Sequence, residues 1–282
     1  MNAVHHIASD GLDIAVEVWE PADPTTLPPL LMLHGGGQTR HSWAGAAERA
    51  AARGHRVLAA DLRGHGDSGW HPDGVYEVTA HAADAIAVCD WLGTAPILVG
   101  ASLGGLTGMV LEGRIRPGTL RALVLVDIVP RMNADGVSRI REFMLSNVDE
   151  GFASLEEAAE AVAAYNPHRA RPATIDGLRK NLRERDGRWF WHWDPATMRR
   201  RPGETREVDH LDHLANALAE VRAPTMLVRG RQSDLVDDAT LAQFRDEYPH
   251  IRVTDVSGAG HMVAGDRNDV FADAVEAFVE TL

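Results

Sequence analysis

The chain has 282 residues, 45% of them hydrophobic and 24% charged, enough to bury a large core either as one α/β domain or as a core with an insert. A formal net charge of −13 argues against general nucleic-acid binding, which needs a basic surface to displace counterions, and against attachment to anionic membranes. The single cysteine, Cys89, rules out an intramolecular disulfide. Its helical surroundings suit a small core residue better than a nucleophile.

From the N-terminus, no basic segment is followed by an apolar one and no apolar run is long enough to span a bilayer. The expectation is a soluble, cytoplasmic chain without a signal peptide. Asp10-Gly11 is a turn signal, and LDIAVEVWE (12–20) after it is rich in β-branched residues, which predicts an early antiparallel strand. PPLLMLH (28–34) is a short continuous apolar run, the mark of a strand buried on both faces. RVLAAD (56–61), PILVG (96–100), RALVLVD (121–127), PTMLVRG (224–230) and HIRVTDV (250–256) repeat that mark. Helical stretches separate them at 44–54, 77–92 and 102–115, so the pattern predicts a doubly wound, mostly parallel sheet.

One interval breaks the alternation. From about Arg131 to Val221 the sequence offers only helical segments rich in alanine, glutamate and arginine, which predicts a helical insert between two sheet strands. SLEEAAEAVAAYN opens with a capping-box pair, Ser154 and Glu157. Asn166-Pro167 and Arg171-Pro172 break the chain before ATIDGLRKNLRER (173–185). Asp194-Pro195 suits a helix start.

The chemistry concentrates at strand ends. Gly100-Ala101-Ser102-Leu103-Gly104 fits G-x-S-x-G between a buried strand and a helix. A turn that sharp strains the serine backbone and leaves no room for side chains two positions away on either side. It presents the hydroxyl at a helix N-terminus, whose amides favour developing negative charge. The competing structural reading is an ordinary serine N-cap. A serine alcohol needs a base, and the base an orienting acid. His261, in the glycine-bracketed loop after the last strand, is the candidate base. Asp234, after PTMLVRG, is the first candidate acid, with Asp127 at the end of LVLVD as the alternative; Asp237 and Asp238 suit the first turn of the following helix. For the oxyanion, the amides of Leu103 and Gly36 are the candidate donors, with Gly37 the alternative to Gly36 in the His34-Gly35-Gly36-Gly37 loop at a strand's carboxyl end. RWFWHWDP (188–195) gathers four aromatic rings. Helical spacing makes Trp189 and Trp193 a core stripe; alternatively Trp189, Trp191 and Trp193 roof a substrate pocket with Gly37 and Trp43. Arg199, Arg200 and Arg201 suit a solvated face. No metal constellation stands out: His5 and His6 are adjacent, and in a strand they point to opposite faces.

HGGGQTRHSW (34–43), DLRGHGDS (61–68), GASLGG (100–105), GRQSD (230–234) and GAGH (258–261) together resemble the α/β-hydrolase superfamily, most closely its cap-bearing esterases and cofactor-free haloperoxidases (perhydrolases). The resemblance implies an eight-stranded, mostly parallel sheet: core residues 1–130 and 222–282, with residues 131–221 as a helical cap inserted after the sixth strand. Leu103 replaces a frequent methionine. Arg63 to Ser68 shape a structural turn, so His65 is not expected to be the base. Ser102 in place of the carboxylate of related epoxide hydrolases and dehalogenases implies acyl transfer. The expected function is therefore a serine esterase or lactonase working through an acyl-enzyme, with perhydrolysis as a secondary activity and no cofactor. Its expected partner is a small-molecule ester or lactone; the chain is a candidate homo-oligomer. The alternatives are a carbon–carbon bond hydrolase of ring-opened diketones using the same triad, and a ligand receptor or interaction scaffold of hydrolase fold.

Overall fold

In the computed structural model, residues 2–165, 175–199, 207–261 and 268–282 are described. Eight strands form one sheet: β1 (Ala3–Ser9), β2 (Leu12–Trp19), β3 (Leu30–Leu33), β4 (Val57–Ala60), β5 (Ile97–Ala101), β6 (Ala122–Val126), β9 (Thr225–Gly230) and β10 (Arg252–Val256). Their spatial order is β1-β2-β4-β3-β5-β6-β9-β10. β1 and β2 pair antiparallel, as do β2 and β4, and the remaining pairs are parallel. Alternate residues of the central strands feed two cores. Leu31, Leu33, Leu58 and Leu98 face one, with α2 (Val78–Leu92) and α3 (Leu103–Val110). Leu30, Met32, Val57, Ile97 and Val99 face the other, with α1 (Ala44–Ala52) and α8 (Asn268–Val279). The seven strands expected from sequence are all present. The eighth, β1, has no apolar run because it is an edge strand with only Ile7 buried.

The interval after β6 differs from expectation. It holds α4 (Ala134–Leu145), α5 (Leu155–Tyr165) and α6 (Glu207–Glu220), but also an antiparallel hairpin, β7 (Leu182–Arg185) with β8 (Arg188–Trp191). The hairpin turns at Asp186-Gly187, both with positive φ (52° and 73°), the geometry of a tight I′-type turn. Aromatic residues then favour an extended strand over the helix that their spacing suggested. Met144, Phe152, Leu155, Leu182, Trp191 and Trp193 form a third, separate core within this interval. Helix α6 lies outside that core: Leu214, Ala217 and Leu218 are buried in the main body. A Cβ on Gly113 would stand 1.9 Å from the Ala217 carbonyl oxygen. Ser154 caps α5 as expected, its Oγ accepting from the Glu157 amide while Glu157 accepts from the Ala153 amide. Cys89 is buried in α2, and burial pushes its thiol up to about 12. Among the described residues, no helix is long and apolar enough to cross a membrane.

Candidate active site

β5 runs directly into α3 through Ser102, whose φ of 45° and ψ of −115° lie outside the favoured regions for a residue with a side chain. Such strain costs about 1–3 kcal/mol and persists only where packing over-determines it. Here the packing is glycine-dependent. A Cβ on Gly100 would come within 2.4 Å of Gly104 backbone, and one on Gly104 within 2.3 Å of the Leu33 carbonyl oxygen. The carbonyl of Ser102 accepts from the Gly105 and Leu106 amides at 2.8 and 3.0 Å, while its hydroxyl caps no amide. The side-chain N-cap alternative is therefore not met, and the Ser102 side chain is half-buried.

His261 stands in the loop after β10. A Cβ on Gly230 would be 2.2 Å from the Gly260 carbonyl oxygen, so glycine at the end of β9 lets this loop lie directly on it. The ring Nδ1 of His261 is 2.8 Å from Oδ2 of Asp127. Asp127 is fully buried at the end of β6, with φ of 49°. Its carboxylate also accepts from the Gly230 amide (3.0 Å) and the Ser233 hydroxyl (2.5 Å). These three donors fix the carboxylate and, through it, the imidazole, with Nδ1 carrying the proton and Nε2 left as the basic nitrogen.

The acid expected first, Asp234, is not brought to His261. Its carboxylate pairs with Arg139 of α4 at 2.7 Å, and both side chains are partly exposed, 31% and 58%. Asp127 takes the place next to His261 because β6 and β9 are neighbours. The amide of Gly230 and the hydroxyl of Ser233, from the β9 end, then reach across to it. Asp237 caps α7 (Asp238–Glu247) through the Thr240 amide, as its position suggested.

The glycine loop after β3 lies against the serine: a Cβ on Gly35 would be 3.2 Å from Ser102 Cβ. The Gly35 amide donates to Gln38 Oε1 and that of Gly37 to His65 Nε2, whereas the amide of Gly36 has no acceptor among the described residues. Leu103 opens α3, where backbone N–H groups lack intrahelical partners. Among the described residues neither expected donor, Leu103 or Gly36, has an acceptor. On its other side Gly36 faces the interval after β6. Met198 Cε and Met144 Cε lie 3.7 and 3.8 Å from its Cβ position, and Trp193 Nε1 is 3.7 Å from that of Gly37.

Of the five expected pocket residues, Gly37 and Trp193 meet beside this loop. Trp191 and Trp189 belong to β8. Trp191 packs edge-on against Phe152 and Phe143, and Arg179 lies over the Trp189 ring. Trp43 corrects its expectation: it is 1% exposed and packs at a tilt against Phe271 as a core residue. The 61–68 turn is held by buried ion pairs and backbone bonds. Arg63 is buried against both oxygens of Asp84, and Asp61 receives the Arg40 and Asp67 amides. Asp194 caps the short turn Pro195–Thr197, and Arg199 pairs with Asp149 at the surface, while Arg200 and Arg201 lie outside the described residues. Among the described residues, no group of three or more potential metal ligands occurs.

A likeness to known proteins extends over nearly the whole chain. An esterase of Mycobacterium tuberculosis is 32% identical over 261 residues, 90% of this chain and 83% of its own length. An sn-1-specific diacylglycerol lipase of Mus musculus is 30% identical over 90% of this chain and 81% of its own. The crystal structure of an E-2-(acetamidomethylene)succinate hydrolase shares the fold, with a TM-score of 0.83 at 22% identity over 99% of this chain and 100% of its own. The family model of the alpha/beta hydrolase fold matches residues 28–267. The chain belongs to the α/β-hydrolase family.

Proposed function

We propose that the protein is a serine hydrolase of small carboxylic esters, lactones included, with Ser102 as nucleophile, His261 as general base and acid, and Asp127 as the orienting acid. The observation that carries the reading is the 2.8 Å bond from His261 Nδ1 to a fully buried Asp127, on a framework that holds Ser102 in a strained turn. His261 Nε2 takes the Ser102 proton as Oγ attacks the ester carbonyl. The amides of Leu103 and Gly36 hold the resulting oxyanion. The tetrahedral intermediate collapses to the acyl-enzyme, and His261 protonates the leaving alcohol. Water, deprotonated by the same nitrogen, then releases the acid. Hydrogen peroxide in place of water gives the peracid, a secondary activity of the same acyl-enzyme. The esterase and lipase relatives support the ester as the substrate class. The segment holding Met144, Trp193 and Met198 acts as the cap, closing the acyl side of the oxyanion loop with apolar atoms. The test is turnover of a panel of simple esters and lactones against a ring-opened dienol diketone, by wild type and Ser102→Ala. Ester or lactone turnover lost in the variant supports the reading. Turnover confined to the diketone moves the carbon–carbon alternative ahead, and no turnover by a folded wild type favours a receptor.

A further inference from the structure

Two fully buried imidazoles, His34 and His65, take no part in the proton transfers above, and both touch the oxyanion loop. Their hydrogen bonds specify one tautomer each. His65 Nδ1 faces the Arg63 carbonyl at 3.1 Å and can only donate there, so Nε2 is the acceptor for the Gly37 amide at 3.1 Å. His34 repeats the arrangement: Nδ1 donates to the Gly35 carbonyl at 2.8 Å and Nε2 accepts from Leu62 at 3.0 Å. The rings meet edge to face at 5.2 Å. Burial, and the nearby His34, push the His65 imidazole down to about 3, so it remains an acceptor at neutral pH. The turn carrying His65 is itself gripped by the interval after β6. The Gly66 amide donates to the His192 carbonyl at 2.8 Å and the Asp194 amide to the Gly64 carbonyl at 2.7 Å, with His65 bridged to Trp193.

We infer that His65 is a positioning residue for the oxyanion loop: by accepting the Gly37 amide it sets the peptide that leaves the Gly36 amide turned free for substrate, and it ties that loop to the segment around Trp193. This rests on the serine-hydrolase reading. A donor aimed in advance acts on the transition state more than on bound substrate, so a loosened loop lowers kcat rather than raising KM.

Two substitutions separate positioning from stability. His65→Gln places an amide oxygen where Nε2 stood and keeps an acceptor for Gly37. His65→Asn places its amide where Nδ1 stood, keeping the bond to Arg63 and leaving Gly37 without one. The expected result is a kcat about 30-fold or more below wild type for His65→Asn with KM within about twofold, since a lost oxyanion donor costs about 100- to 1,000-fold. The inhibition constant of a trifluoromethyl ketone, which adds Ser102 to form a tetrahedral oxyanion, rises in parallel. His65→Gln recovers most of both. Equal or better turnover by the Asn variant, or a raised KM at unchanged kcat, overturns the inference. Should either variant fail to fold, hydrogen exchange at the Gly37 amide of wild type decides. Strong protection supports the bond and free exchange overturns it. Fluorophosphonate labelling of wild type is run alongside. Its absence overturns the serine reading and this inference together, whereas labelling with a fully active Asn variant overturns the inference alone.

Discussion

The pairing of His261 with Asp127 rather than Asp234 makes a quantitative prediction. Asp127→Asn keeps the shape of the side chain but removes its charge. As Ser102 is deprotonated, His261 becomes an imidazolium with Nδ1 at 2.8 Å from the carboxylate. With charge centres about 4 Å apart and an effective dielectric near 20, the lost attraction is about 4 kcal/mol, or roughly a thousandfold in kcat. The amide can also present its NH2 to Nδ1 and favour the wrong tautomer, which deepens the loss. Asp234→Asn removes only a half-exposed ion pair with Arg139, worth under about 1 kcal/mol, and is expected to leave kcat within about threefold. Hydrolysis of a p-nitrophenyl ester by both variants, with urea unfolding midpoints to verify folding, gives the comparison. A loss in Asp234→Asn equal to or greater than that in Asp127→Asn would refute the assignment.

Two further predictions concern the framework. Gly104→Ala puts a Cβ 2.3 Å from the Leu33 carbonyl oxygen, a backbone atom that cannot rotate away, so it should cost about 3 kcal/mol or more in a denaturant titration; a loss below about 0.5 kcal/mol would contradict the tight elbow. His34, His65 and His81 are all buried with pKa values lowered chiefly by desolvation. Because the folded values lie below the unfolded one, their contribution is fully present above pH of about 6.5 and is lost as the pH falls toward the folded values, about 3 for His65. For His65, whose folded value lies near 3, this removes up to about 1.4 kcal/mol per pH unit between roughly pH 6 and pH 5, where carboxylates are still ionised; His34 and His81 act in the same direction. Unfolding midpoints measured across that window should fall, and a flat profile would contradict neutral burial.

Much of the sheet was legible because fully buried parallel strands are short apolar runs with few rivals, as LLML, VLAA and ALVLV illustrate. The elbow was legible for a related reason: Gly100 and Gly104 are there for steric necessity, and steric necessity is visible in one sequence. The edge strand β1 was not, since most of its residues face solvent and no run forms. The β7–β8 hairpin was obscured by tryptophans whose spacing also fits a helix, although Asp186-Gly187 between two four-residue runs was a usable turn signal. The acid was the hardest to read. Both Asp127 and Asp234 follow sheet strands that are neighbours in space, and only the reach of the Gly230 amide and Ser233 hydroxyl across the β6–β9 boundary distinguishes them. That is a relation between distant segments, and no local pattern encodes it. The role of His65 was hidden likewise, because its turn reads as structural and its contact with Gly37 spans 28 positions.

Every step proposed for the site depends on Ser102 being an activated nucleophile. Intact-mass measurement after treatment with a small fluorophosphonate, on wild type and on Ser102→Ala, tests this. One adduct is expected on wild type and none on the variant. A folded wild type that stays unlabelled, or a variant labelled to the same extent, would contradict it.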